Sequence, residues 1–168
     1  MAISRIGDAG LPAGAVLQVV QDTKTDTFST TSTSFTDITG LSVDITPSST
    51  SNKILVEVQI SNNASSTYTK FFDLVRDSSS IFRGDDPSDN KIECTVWGRD
   101  EANTGGQVYS ITYLDSPSST SELTYKLQGS VQSGGTLTVN KSQSDANASY
   151  LGRGTSSITV TEIAGWVI

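Results

Sequence analysis

The 168-residue chain contains no histidine, a single cysteine, four prolines and no long apolar run. Without histidine it lacks the most common general base and metal ligand, so its many serines have no usual catalytic partner. The lone cysteine, Cys94, excludes an intrachain disulfide and is most simply a small buried strand residue. No segment approaches the roughly 18 apolar residues of a membrane-spanning helix.

Positive charge is also scarce. The 11 Lys and Arg residues are outnumbered by 18 Asp and Glu residues, so the net charge is −7. This balance argues against partners that present phosphate, and we predict neither nucleic-acid binding nor attachment to an anionic membrane. The first 14 residues have no apolar core of the kind found in secretory signals.

No known catalytic or cofactor motif is present. The chain has no G-x-S-x-G, Walker or dinucleotide-binding fingerprint, and we predict no catalytic residues, no cofactor and no metal. An acidic loop from Asp85 to Asn90 could surround a cation with oxygens, but its spacing matches no calcium loop and a proline interrupts it. A paired-carboxylate glycosidase stays formally open, although Glu93 and Asp115 show no sign of sharing a cleft.

What the chain does have is serine and threonine, which together make up 49 residues, and segments that alternate apolar with polar side chains. The clearest puts Ile54, Val56, Val58 and Ile60 on one face, as a half-buried strand requires. No segment has a helical period. We therefore predict an all-β protein, an antiparallel sandwich or jelly roll of about ten strands formed by residues 15–168 as one domain. The predicted strands are 15–21, 27–31, 35–39, 41–46, 53–61, 68–76, 81–82, 92–97, 136–140, 156–164 and two within 108–131.

Residues 108–131 are predicted to form the β-hairpin around which the other strands assemble. Its second half places Leu123, Tyr125 and Leu127 on one face, which we expect to be buried. The link between the halves, DSPSSTS, consists of residues that form turns and interrupt sheets.

Residues 1–14 are predicted to be an extended N-terminal arm. Three glycines and a proline keep this segment from forming a helix, and termini of this kind are often disordered. Its apolar residues Ile3, Ile6 and Leu11 nevertheless suggest anchoring to a partner, to which Arg5 could add a charge-assisted hydrogen bond.

Apolar residues in two other places suggest contact between copies. Residues 68–76 carry apolar side chains on both faces, including Phe71 on the face opposite Phe72. The chain ends in Trp166, Val167 and Ile168, which are unfavourable in water unless covered, either by folding back onto their own domain or by packing against another copy. We predict a homo-oligomer, most simply a homotrimer.

Four segments resemble a group of small, Ser/Thr-rich β-sandwich proteins of tailed bacteriophages, especially marine and cyanobacterial ones. They are residues 14–21 (GAVLQVVQ), 27–56, 113–128 (YLDSPSSTSELTYKLQ) and 157–165 (SITVTEIAG). The relatives are similar to virion structural proteins described as capsid-associated or tail-fibre-like. The loops at 62–67, 84–90 and 141–154 do not belong to the pattern.

The resemblance implies a virion protein, and two functions follow. The first is a non-enzymatic capsid decoration or cement protein on the outer surface of the virion, whose arm binds the major capsid protein or another virion protein. The alternative is a tail-fibre or receptor-binding tip that recognises a host glycan through exposed aromatics such as Trp97 or Tyr150. A free secreted carbohydrate-binding or enzymatic domain is less favoured, because no signal peptide is evident.

Overall fold

The computed structural model describes residues 12–85, 90–101 and 105–165. These residues contain eleven β-strands and no helix. The all-β prediction is confirmed. The strands are β1 (Val16–Lys24), β2 (Phe28–Thr30), β3 (Thr36–Ile45), β4 (Lys53–Ala64), β5 (Thr69–Arg76), β6 (Ser79–Ser80), β7 (Val96–Arg99), β8 (Gln107–Asp115), β9 (Leu123–Val131), β10 (Leu137–Val139) and β11 (Ser156–Ile163).

The strands form two antiparallel sheets that pack face to face. In sheet A, β4 lies between β8 on one side and β11 followed by β1 on the other. The short β10 pairs with the last three residues of β4, and β2 pairs with β10. In sheet B, β9 lies between β3 and β5, and β6 and β7 both pair with the far side of β5. When the short β2, β6 and β10 are set aside, the eight remaining strands follow the orders 1-8-3-6 and 2-7-4-5, which is the jelly-roll arrangement.

The core lies between the sheets and follows the period-two pattern of the sequence. The four alternating residues of β4 are at most 2% exposed, and Leu123, Tyr125 and Leu127 of β9 are buried as predicted. In β5, Phe72 and Leu74 face this core. The odd-numbered residues of β5 therefore face outward from sheet B.

The predicted hairpin at residues 108–131 is wrong. β8 pairs with β4 in sheet A, whereas β9 pairs with β3 and β5 in sheet B. The seven-residue link instead carries the chain from one sheet to the other, across a spacing of about 10 Å. Alternation along a strand identifies its buried face but says nothing about which strand lies beside it. The inward residues of β9 were therefore predicted correctly, whereas its pairing with β8 was not.

The strands predicted at residues 35–39 and 41–46 are one strand with a bulge. The register of β3 against β9 shifts between Asp37 and Ser42, and Gly40 within this interval has a φ of 78°. β3 advances five residues over this interval while β9 advances two, and this shift of three lets both Ile38 and Leu41 face the core although they lie three positions apart. Glycine suits this position because it adopts a positive φ without steric cost.

Three other predicted boundaries are shifted. β4 runs on to Ala64, so half of the predicted loop at 62–67 is strand, with Asn62 and Asn63 buried. The strand predicted at 81–82 lies two residues earlier, as β6. The strand predicted at 92–97 begins only at Val96. Cys94 is a free, buried cysteine as predicted, but it lies in the loop before this strand and not in the strand.

The two ends of the sandwich differ in what lies there. At the terminal end, Gly14 N donates to Ala164 O at 2.8 Å, so the first and last described residues lie side by side. The distal end is the opposite one, where β4 and β9 finish and β5 begins.

Candidate functional site

An exposed aromatic pair lies at the distal end, on the outer face of sheet B. β7 and β5 pair so that Trp97 is directly opposite Phe71, and Arg99 is directly opposite Thr69. All four are at outward positions, because Val96 and Phe72 beside them pack into the core. Trp97 is 65% exposed, whereas Phe71 is half-buried.

These residues form the floor of a groove of about 790 Å³, here called the Trp97 groove. This volume is within the range of about 300–1,000 Å³ that is usual for small-molecule sites. The loop before β7 contributes one part of the lining, and polar residues from the end of β9 and from the segment before β3 contribute another. The lining also includes Asn90, Lys91, Ile92, Thr33, Gln132 and Ser133.

The charge of the Trp97 groove is opposite to that of the whole chain. Lys91 and Arg99 are in its lining and both are exposed, while none of the described lining residues is Asp or Glu. The chain as a whole carries a net charge of −7. The groove is therefore a local positive site on an acidic protein, a contrast that favours an anionic ligand there.

Two ion pairs, each with a buried carboxylate, hold the groove in shape. Beside Arg99, the Asp100 carboxylate turns inward and accepts from Lys70 Nζ at 2.5 Å, and it also accepts from the backbone N–H of Ala64. Because Asp100 is anchored inside, the neighbouring Arg99 is held on the outer face. Burial lowers the pKa of Lys70, and the hydrogen bond to Asp100 opposes this effect.

The second pair fixes the loop that leads to the groove. Asp73, on the outer face of β5, is fully buried and accepts from Arg83 Nη2 at 2.6 Å and from Ser80 Oγ at 2.5 Å. The hydrogen bond between Arg83 and Asp73 raises the pKa of Arg83. The Arg83 guanidinium lies 5.1 Å from the centre of the Phe35 ring. The loop's return is fixed by Thr95, whose N–H donates to Phe72 O and whose hydroxyl donates to Phe82 O.

Sequence reasoning identified Trp97 correctly but not its surroundings. The outward phase of Trp97, opposite Val96, is confirmed. Phe71 was predicted to contact another copy; it is in the floor of the groove, and the oligomer contact itself stays a prediction. Tyr150 is 76% exposed and lines a different pocket, with Ser61 and Val108, so the structure does not bring the two candidate aromatics together.

Several predicted residues lie outside the described part of the chain. They are the arm residues Ile3, Arg5, Ile6 and Leu11, the C-terminal Trp166, Val167 and Ile168, and residues 86–89 of the acidic loop. Within residues 12–85, 90–101 and 105–165, no cluster of three or more Cys, Asp or Glu side chains could hold a metal ion.

At the terminal end, two buried carboxylates have structural partners. Asp115, one of the two acids considered for catalysis, accepts from Arg76 Nη1 at 2.5 Å and from the Tyr125 hydroxyl at 2.6 Å. The other candidate acid, Glu93, is half-buried in the loop before β7. Both oxygens of Asp115 are occupied, because Ser116 N–H donates to the second one.

Glu162 is the second carboxylate there, and in the described residues it has neutral donors in place of a cation. Its oxygens accept from Asn52 Nδ2 at 2.6 Å, from the Ser48 N–H at 2.7 Å and from Gln18 Nε2 at 2.6 Å. Burial opposes ionisation, but these hydrogen bonds outweigh it and lower the pKa of Glu162. The carboxylate thereby ties the β3–β4 turn to the edge of sheet A.

An apolar patch covers the outer face of sheet A at the same end. Val16 and Val19 of β1 and Leu114 of β8 are exposed, and half-buried Leu55 and Ile163 lie on the strands between them. Apolar side chains grouped on an otherwise hydroxyl-rich face usually mark a contact surface. This terminal patch lies next to the point where the chain passes into residues 1–11.

Searches against models of known protein families and against curated proteins each returned no match. The described part of the chain contains no helix long and apolar enough to cross a membrane.

Proposed function

We propose that this chain is a non-enzymatic structural protein on the outer surface of a tailed-phage virion, and that it decorates the capsid. The observation that carries the proposal is the position of the terminal patch. Three of the exposed apolar side chains on the outer face of sheet A, Val16, Val19 and Leu114, lie toward the end at which the described chain begins. One end of the molecule thus combines two attachment elements, and the distal end is left to face outward.

The patch supplies what the arm needs in order to bind. Ile3, Ile6 and Leu11 would each contribute about 1.5–3 kcal/mol when buried against a partner. Ordering the arm costs roughly 1–2 kcal/mol per residue, so three anchors do not suffice. Burial of Val19 and Leu114 against the same partner adds apolar contact from residues that the fold already orders.

The virion assignment is supported by the resemblance of four segments to phage β-sandwich proteins and by the hydroxyl-rich, acidic surface. The jelly roll serves many functions, so the fold alone favours none. The partner in this proposal is the major capsid protein or another virion protein, and the assembled unit is a homotrimer.

Incorporation into particles tests this function. We expect Leu114→Asp, and separately deletion of residues 1–11, to reduce the copy number on purified particles while the free protein still folds. The matched control is Thr112→Asp, which adds the same charge on the same face of β8, two residues away from Leu114 and outside the patch. Full occupancy by both the deletion and the Leu114 variant would contradict the proposal.

A tail-fibre or receptor-binding tip that recognises a host glycan is the second candidate, and the Trp97 groove is the observation that favours it. The groove lies at the distal end and on the opposite sheet from the terminal patch, so it would point away from an attachment surface. Localising the protein in images of intact particles distinguishes the two, since one predicts density over the capsid and the other at the tail.

A further inference from the structure

We propose that the Trp97 groove binds an acidic oligosaccharide, a chain whose sugar rings carry carboxylate groups. The inference deepens the glycan-recognition candidate above and rests on it for its biological role. The binding itself is a property of the free protein, wherever in the virion the protein is located.

The shape and chemistry of the floor favour a sugar ring. A pyranose has a flat apolar face of C–H groups and a rim of hydroxyls. The exposed Trp97 indole and the neighbouring Phe71 ring offer a flat apolar surface that is open to solvent. Side chains that can both donate and accept hydrogen bonds lie around it, among them Gln132, Ser133 and Thr33. A few polar groups around an apolar floor are typical of ligand sites.

The charge of the lining favours an acidic sugar over a neutral one. Arg99 lies directly beyond the aromatic pair along β7, and Lys91 is in the loop that borders the groove. A guanidinium matches a carboxylate in geometry and forms charge-assisted hydrogen bonds with it. The described lining residues include these two cations and no carboxylate.

The groove is already formed in the free protein, which lowers the cost of binding. The Lys70–Asp100 pair holds Arg99 outward, and the Asp73–Arg83 pair fixes the start of the loop before β7. Thr69 N–H donates to the Gln132 side chain, which orients that amide at the groove. Because the binding residues of the protein are already held in place, little of their conformational entropy is lost when a ligand binds.

The test is an NMR titration of the ¹⁵N-labelled full chain with an oligomer of galacturonic acid and with the methyl ester of the same oligomer. The ester keeps the rings and removes the charge. We expect the indole N–H of Trp97, assigned from the Trp97→Phe spectrum, and the amides of Gln132 and Ser133 to shift on addition of the acid. The ester should bind about tenfold more weakly, which is the usual contribution of a charge-assisted hydrogen bond.

Four variants separate the contributions of the aromatic floor and of the charge. Trp97→Ala should weaken binding of the acid by at least about tenfold, whereas Trp97→Phe, which keeps a ring, should lose less. Arg99→Gln should reduce the preference for the acid over the ester but leave binding of the ester unchanged. Tyr150→Ala, which removes an exposed aromatic elsewhere, should bind like the original chain. Unchanged core amide shifts confirm that each variant folds.

Four outcomes would overturn the inference. These are the absence of Trp97 shifts at millimolar acid, equal affinity for acid and ester, unchanged binding by Trp97→Ala, and a concentration-dependent dimer that Trp97→Ala abolishes. The last would make the groove a contact between copies. Loss of binding with normal particle incorporation would refute the ligand site alone, and normal binding with failed incorporation would refute only the terminal-patch anchor.

Discussion

The two ends of the sandwich each bury an ion pair against β5, but they use different cations. At the distal end, Lys70 is 0% exposed and pairs with Asp100. At the terminal end, the Arg76 side chain is 25% exposed and pairs with Asp115. Both cations project inward from the same strand, at positions 70 and 76. Each pair also has a tyrosine beside it, Tyr109 or Tyr125.

The difference shows how the surroundings of each ion pair determine whether lysine or arginine fits there. Burial alone would lower the pKa of Arg76, but the hydrogen bond and charge of Asp115 outweigh burial and raise it. The partly exposed guanidinium also keeps part of its hydration. Lys70 has no such access; its ammonium faces one carboxylate and lies 5.6 Å from the centre of the Tyr109 ring. A compact ammonium fits this enclosed space, whereas the broader guanidinium suits a site that opens to water.

Breaking the distal pair should have the largest effect. Lys70→Met leaves the Asp100 carboxylate buried without its cation, and we expect a loss of about 3–5 kcal/mol in the free energy of unfolding. Urea denaturation measures this. The control is Lys70→Met with Asp100→Asn, which removes both charges and should recover much of the loss. A double variant as unstable as the single one would show that the buried charge is not the cause.

Between the two ends, Leu127→Ala provides an uncharged reference. Leu127 is fully buried in the middle of β9, and its truncation should cost about 2–5 kcal/mol through lost contacts and a residual cavity. Because no charge changes, the cost should be the same at pH 5 and pH 8. A loss of only a few tenths of a kcal/mol would show that the site collapses around the smaller side chain.

Breaking the terminal pair should cost less than breaking the distal pair. In Arg76→Gln, Asp115 keeps the hydrogen bonds from Tyr125 and Ser116, and water reaches the site of the lost guanidinium. We expect about 1–3 kcal/mol in urea denaturation. If Arg76→Gln costs as much as Lys70→Met, exposure to solvent is not what separates the two ends.

The smallest effect should appear at alkaline pH. Burial raises the pKa of Tyr109 to about 12, and burial together with the Asp115 hydrogen bond raises that of Tyr125. A phenol whose pKa is raised by folding stabilises the protein fully below pH 10, and that contribution is lost as pH rises toward 12. In Tyr109→Phe, the part of this alkaline loss of stability that comes from the distal end should disappear.

Lys70 should act in the opposite direction in a neighbouring range. Burial lowers its folded pKa below the usual 10.5, so the unfolded chain binds more protons just below that pH and stability rises with pH there. Comparing unfolding curves from pH 8 to 12 for Tyr109→Phe and Lys70→Met separates the two contributions. Identical pH profiles for both variants and the original chain would contradict the sign assigned to each group.

Much of the strand content followed from residue patterns, whereas the neighbours of each strand did not. The alternation in β4 and β9 correctly predicted which side chains are buried. The same alternation suggested that β8 and β9 form a hairpin, because residues close in sequence pair often and the pattern is equally compatible with two sheets. Only packing of the complete chain selected β4 as the partner of β8.

The candidate site shows the same division. The outward position of Trp97 could be predicted from its phase relative to Val96. Its position opposite Phe71 could not, because that contact depends on the pairing of β5 with β7. The anchoring of Asp100 by Lys70 joins residues 30 positions apart, for which no local signal exists.

Patterns along the chain therefore sufficed for the all-β class, for the inward residues of β4 and β9 and for the acidic, hydroxyl-rich composition, since these depend on side chains a few residues apart. The tertiary structure decided which strands are neighbours, which charges are buried in pairs, and that the Trp97 groove and the terminal patch lie at opposite ends. Those features depend on backbone hydrogen bonds and ion pairs between distant segments, which form only when the two sheets close on their shared core.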